Sequence, residues 1–144
     1  MLWGQDRSSL RDMFAKAWRD HEAGKPQDKQ GVMIAEVVAM HPEYHADIDS
    51  GVARHREYDG SDGQSNPFLH MAMHIAVREQ LGVDLPPGVV KIHRQLTRRL
   101  GDVHSAEHQM LECLAEVLWS AQLDGTEPDI EKYVVALKQV VRQR

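Results

Sequence analysis

Apolar residues recur every three or four positions along most of the 144-residue chain, which is the spacing of one face of an α-helix. No segment alternates apolar and polar residues in the manner of a strand. The pattern therefore predicts an all-α bundle of five or six helices, forming a single helical domain over residues 1–144. The predicted helices cover residues 8–21, 28–40, 67–81, 89–100, 103–123 and 130–141.

Glycine, proline and aspartate mark where these helices begin and end. Gly82 is expected to end the helix that starts at residue 67. Asp102 is expected to cap the start of the helix 103–123. Pro42 suits the first turn of a short additional helix. Residues 49–65 are rich in glycine, aspartate and serine, so they are predicted to form a loop, with a short helical turn near 52–57.

The composition restricts the class of protein and its compartment. The chain has one cysteine, Cys113, and can form no intramolecular disulfide, which is typical of a reducing compartment. No signal-peptide pattern and no apolar run of about 18 residues is visible, so we expect a cytoplasmic protein without a spanning helix. The net charge of -5 argues against nucleic acid or an anionic membrane as a partner. The sequence leaves open a small-molecule substrate and a homo-oligomer.

Histidines are frequent, with nine in the chain, and three pairs of them lie four residues apart. On a helix, positions i and i+4 lie one above the other on the same face, so two imidazoles at this spacing can bind one ion. The pairs are His41/His45, His70/His74 and His104/His108. The first pair has the weaker helical context.

The pair His70/His74 lies on a helix that is otherwise apolar on every side from Phe68 to Val77. Such a helix offers no solvent face to two neutral imidazoles, and an unpaired buried polar group costs about 1–3 kcal/mol. A metal ion satisfies both rings at once. We therefore predict that His70 and His74 are metal ligands.

The predicted helix 103–123 offers a second set of ligands. At 100° per residue, His104 and Glu107 fall inside its apolar arc, His108 lies at the edge of the arc, and Glu112 lies one turn beyond His108. Buried glutamate is rare unless it is paired or ligating. Inward-facing histidine and glutamate are the ligands of metal sites in helical bundles, so these four residues join the candidates.

Together with His45, these residues predict a site for one or two transition-metal ions. Nitrogen and oxygen ligands suit zinc, iron, manganese and nickel, and the sequence does not choose among them. Whether the protein is an enzyme is also open. A glutamate beside a metal-bound water would give hydrolysis, and iron or manganese would allow oxygen or redox chemistry.

Two alternatives stay open at this point. In the first, the histidines are hydrogen-bonded core residues and Glu107 belongs to a buried His–Glu network, so that the protein is a non-enzymatic interaction module. In the second, His104-Ser105-Ala106-Glu107-His108 acts as His-x-x-Glu-His, the inverted zinc-peptidase signature, with Glu107 as general base. This five-residue match is a weak indication, because those peptidases are larger α/β proteins.

Other residues have simpler interpretations. We interpret His41 as a turn residue and His93 as a residue at or near the surface. Trp119 is expected to fill the core. Cys113 lies away from the main apolar arc and has no obvious base, so it is not expected to be a nucleophile.

Several motifs, spread in order along the chain, carry a family resemblance. They are His41-Pro42-Glu43-Tyr44-His45, Asn66-Pro67-Phe68-Leu69-His70-Met71-Ala72-Met73-His74, Arg78-Glu79-Gln80, Pro86-Pro87-Gly88 and Glu107-His108-x-x-x-Glu112-Cys113-Leu114. With these motifs the chain resembles, over nearly its whole length, the bacterial proteins of the domain-of-unknown-function-1841 family. The resemblance implies a short, stand-alone bacterial protein, and it supplies no catalytic residues.

Overall fold

The computed structural model describes residues 7–49 and 67–143, and every regular element within them is a helix. The all-α class is confirmed, with six helices of 11 residues or more in this part of the chain. The predicted loop 49–65 lies outside the described residues, except for its first residue, which ends a short helix. The elements are α1 (Arg7–Glu22), α2 (Lys29–Ala39), a 3-10 helix (Pro42–Tyr44), α3 (His45–Asp49), α4 (Pro67–Val83), α5 (Val89–Leu100), α6 (Val103–Asp124) and α7 (Ile130–Arg142).

Backbone contacts divide the chain into two compact units, Met1–Ile75 and Ala76–Arg144, and the boundary falls inside α4. The prediction of a single domain over residues 1–144 stays a prediction. Among the described helices, none has the length and apolar character needed to cross a bilayer.

The core of the first unit is formed by α1, α2, α3 and the first half of α4. Phe14 of α1 is fully buried, and the centroid of its ring lies 6.0 Å from that of Phe68. Burial of this apolar surface stabilises the unit by about 25 cal/mol per Å². The other buried members of the cluster are Ala17, Trp18, Ile34, Val37, Val38, Ile48, Met71, Ala72 and Ile75.

In the second unit, α5, α6 and α7 pack against one another. Tyr133 of α7 is fully buried, and its hydroxyl donates a hydrogen bond to Oε1 of Gln80 at 2.6 Å. This partner is needed because a buried phenol without one loses its hydrogen bonds to water. Leu96, Met110 and Leu137 are buried with it.

Aspartates cap α6 and α7 in the second unit. The Asp102 carboxylate accepts hydrogen bonds from the backbone N–H of Ser105 at 2.8 Å and from its hydroxyl at 2.7 Å, so the predicted cap of α6 is confirmed. Asp129 accepts from the backbone N–H groups of Glu131 and Lys132 in the same way. Each cap satisfies N–H groups that have no partner within the helix.

The prediction that Gly82 ends its helix is wrong, because α4 continues to Val83. The chain leaves the helix at Asp84, whose φ of 52° is in the left-handed region, and the N–H of Leu85 then donates to the carbonyl of Gln80 at 3.1 Å. Oδ1 of Asp84 also accepts from the N–H of Val90 at 3.0 Å, in the first turn of α5. Asp84 therefore ends α4 in place of Gly82, because aspartate tolerates the left-handed conformation and its carboxylate caps the next helix.

Trp119 is also not where the sequence predicts it, since 63% of its surface is exposed. Helical periodicity identifies an apolar arc, but the covered part of that arc depends on where α5 and α7 pack against α6. On α6 the buried residues are Ala106, Glu107, Met110, Leu111, Cys113, Leu114, Val117 and Ala121.

Candidate functional site

His41 lies between α2 and the 3-10 helix and is fully buried. Its Nδ1–H donates a hydrogen bond to the carbonyl oxygen of Val37 at 2.7 Å. A carbonyl can only accept, so Nδ1 must carry the proton, and the lone pair of the neutral ring is then on Nε2. The end of α2 thus sets the tautomer of this histidine.

Two further imidazole rings, both from α4, lie against His41. Its ring centroid is 4.9 Å from that of His70 and 5.2 Å from that of His74, and both contacts are edge-on. The three rings therefore form one cluster of packed imidazoles.

Within the first unit, apolar residues flank this cluster. His74 is fully buried and His70 partly buried, while Met71 and Ile75 on the same helix belong to the core. Tyr44 stacks on His41 with a centroid distance of 5.6 Å and meets His70 edge-on at 5.8 Å. A site of this kind excludes bulk water, which strengthens every electrostatic interaction inside it.

His45, the third candidate of the first unit, is used differently. Its Nε2–H donates to the carbonyl oxygen of Val38 at 2.8 Å, and its ring lies 4.5 Å from that of Trp18. The structure therefore brings His70 and His74 together with His41, and it packs His45 against the α1 side of the core.

In the second unit, the buried Glu107 is held by two partners. Its Oε1 accepts from Nε of Arg78 at 3.1 Å, its Oε2 accepts from Nε2 of His93 at 3.0 Å, and only 3% of the residue is exposed. These charge-assisted bonds compensate the carboxylate for the loss of water. Glu107 therefore belongs to a buried network that connects α4, α5 and α6.

The other candidates on α6 are more accessible. His104 and His108 are partly buried, and their ring centroids lie 4.1 Å apart, as their i, i+4 spacing implies. Glu112 is exposed to solvent. The pair of imidazoles is thus formed as predicted, whereas Glu112 lies on the outer face of the helix.

Helical spacing does not identify His41 or His93 as buried residues of these clusters. His41 escapes detection because it lies between two helical elements, where periodicity gives no information about burial. Its spacing from His45, directly after an apolar helix, is the signal that points to it. His93 and Arg78 escape because only the packing of separate helices brings them to Glu107.

Cys113 is buried, with 5% exposed, although the sequence placed it away from the apolar arc. Burial, together with the nearby charges of Glu116 and Glu112, raises the pKa of its thiol from 9.0 to about 11. The thiolate is the nucleophilic form, so the structure agrees with an unreactive residue.

This raised pKa predicts a loss of stability in alkali. The folded thiol keeps its proton to higher pH than the unfolded thiol, so the contribution is complete below pH 9 and falls between pH 9 and 11. At pH 10 we expect a loss of about 1 kcal/mol in the free energy of unfolding. Urea denaturation at pH 8 and pH 10 measures it, and Cys113→Ala should lose less. Burial also raises the pKa of Tyr133, so a smaller decline should persist in the variant. Equal losses in both proteins would contradict the prediction.

One family model matches the chain. It is described as a domain of unknown function (DUF1841), and it matches residues 6–139. No curated protein and no solved structure gives a match.

Proposed function

The chain belongs to the DUF1841 family, and we propose that it binds a transition-metal ion through buried imidazoles. In the first unit, the proposed ligands are His41, His70 and His74. The observation that carries the proposal is the ring of His41, whose Nδ1–H is held by a backbone carbonyl while the other two rings lie 4.9 and 5.2 Å away.

The hydrogen bond of His41 favours this interpretation over simple ring packing. Histidines that bind metals almost always donate their other ring N–H to a carboxylate, a carbonyl or water, which fixes the tautomer and orients the ring. Val37 supplies such a carbonyl. Three imidazoles would leave a further position for water or another ligand. Zinc, iron, manganese and nickel are the metals we propose for this donor set.

His104 and His108 support a second ligand pair in the other unit, since their rings are already adjacent. Glu107 fits less well as a ligand or as the general base of a peptidase, because either role would require it to leave Arg78 or His93. We therefore propose metal binding without hydrolysis. From the cysteine content and the net charge, we also propose a cytoplasmic protein without nucleic acid or membrane partners.

The metal content of purified protein tests the proposal. Untagged protein prepared without chelator is analysed for the four metals per chain, alongside His41→Asn and His74→Leu. The asparagine amide can still donate to Val37 but has no counterpart of Nε2, so it removes the ligand and keeps the helix end. We expect metal affinity to fall roughly 10-fold or more in both variants, and metal to raise the melting temperature of the wild type.

His21→Ala is the matched control. It removes an exposed imidazole, which stacks on Trp18, and it should leave the metal content unchanged. Circular dichroism establishes that each variant is folded. Wild-type protein with no metal, and with no gain in melting temperature on adding zinc, iron, manganese or nickel, would instead favour the non-enzymatic module with structural histidines.

A further inference from the structure

The outer face of α6 carries two large apolar residues in contact with solvent. Trp119 is 63% exposed and Leu123 is 66% exposed, and they lie one helical turn apart. With Glu112 and Glu116, which are also exposed, they fall within an arc of about 60° at 100° per residue. We call these four residues the Trp119 stripe.

Exposed tryptophan beside exposed leucine is unusual on a free surface. Single apolar residues on a surface need no explanation, but adjacent ones rimmed by polar groups mark interaction sites. Tryptophan is also among the residues that most often contribute the largest share of binding energy at protein interfaces. The stripe therefore has the composition of a docking surface.

The charged residues of α6 around the stripe are all negative. Glu112 and Glu116 lie along it, Asp124 is exposed near its end, and α6 contains no lysine or arginine. Beside the stripe, a groove of about 190 Å³ between α6 and α7 is lined by further carboxylates, those of Glu127 and Asp129, with Lys132 among them. A partner for this surface must combine apolar contacts with positive charge.

We propose that the Trp119 stripe docks a basic amphipathic segment of a partner protein. The apolar face of such a segment would cover Trp119 and Leu123, and its lysines or arginines would pair with Glu112 and Glu116. A second copy of this chain is disfavoured, because two stripes facing each other would bring their carboxylates together. The proposal does not depend on metal binding.

Fluorescence anisotropy of a labelled amphipathic Leu/Lys helical peptide tests the docking. We expect binding that weakens with added salt, that falls roughly 10-fold or more in Trp119→Ala, and that falls further in Glu112→Gln with Glu116→Gln. Val135→Ala removes a 54% exposed apolar residue of α7, and this control should bind as the wild type does. A scrambled peptide of the same composition should bind more weakly.

Two results would overturn the proposal. The first is equal affinity of wild type and Trp119→Ala for the peptide, or equal affinity for the scrambled peptide, which would show a general attraction between opposite charges. The second is self-association in sedimentation velocity that Trp119→Ala abolishes, which would assign the stripe to a second copy of the chain.

Discussion

Replacing Glu107 with alanine is expected to lower the free energy of unfolding by about 3 kcal/mol, the lower end of the range for breaking a buried ion pair. The change removes the acceptor of both Arg78 and His93. These two side chains are 26% and 21% exposed, so water can replace part of the lost interaction. The loss in the free energy of unfolding should therefore stay below the upper end of that range. Urea denaturation followed by circular dichroism at pH 7 measures the change.

Glu112→Ala is the matched control for this prediction. It removes an exposed carboxylate from the same helix and should change stability by no more than about 0.5 kcal/mol. The stability of Glu107→Gln should lie between those of the two alanine variants, because the amide keeps one acceptor oxygen for one of the two donors, Arg78 or His93. Equal stabilities of Glu107→Ala and Glu112→Ala would show that the network contributes nothing to the fold.

A second large effect is expected in the first unit, where Phe14→Ala should cost about 3–5 kcal/mol. Phe14 is fully buried against Phe68, and alanine would leave a cavity between α1 and α4 that the surrounding helices can only partly close. The midpoint of urea denaturation reports the loss.

Leu69→Ala serves as its control, since Leu69 of α4 is 44% exposed and loses less buried surface. Phe14→Leu should fall between them, because it retains much of the volume. A loss below about 1 kcal/mol in Phe14→Ala would mean that the Phe14 site collapses around the missing ring, and it would contradict the packing described for the first unit.

Most of the fold could be predicted because local chemistry determines it. The predicted helix 89–100 has the bounds of α5, and the ends of α6 and α7 lie within a residue or so of the prediction, since glycine and aspartate fix these ends. The end of α4 could not be predicted, because it depends on Asp84, whose carboxylate accepts a hydrogen bond from the N–H of Val90, six residues along the chain.

The candidate site also combines features that the sequence predicts with features that it does not. The histidine pairs follow from helical spacing alone, and so does the burial of Glu107 inside an apolar arc. The partners of Glu107 do not, because Arg78 and His93 lie 29 and 14 residues earlier in the chain, and only the packing of three helices decides which side chains meet. The burial of His41 cannot be predicted for a related reason, since a residue between two helical elements has no periodic signal.

The hydrogen bonds of His41 and His45 have a consequence for how an ion would bind. At the end of α2, the carbonyl oxygens of Val37 and Val38 accept hydrogen bonds from the backbone N–H groups of Met40 and His41, and each accepts a second bond from the imidazole of His41 or His45. In many small metalloproteins the apo chain is unfolded, and the binding energy is used to fold it. Here the ring of His41 is already oriented by the backbone, so an ion would meet one preorganised ligand, and its departure would leave the end of α2 intact.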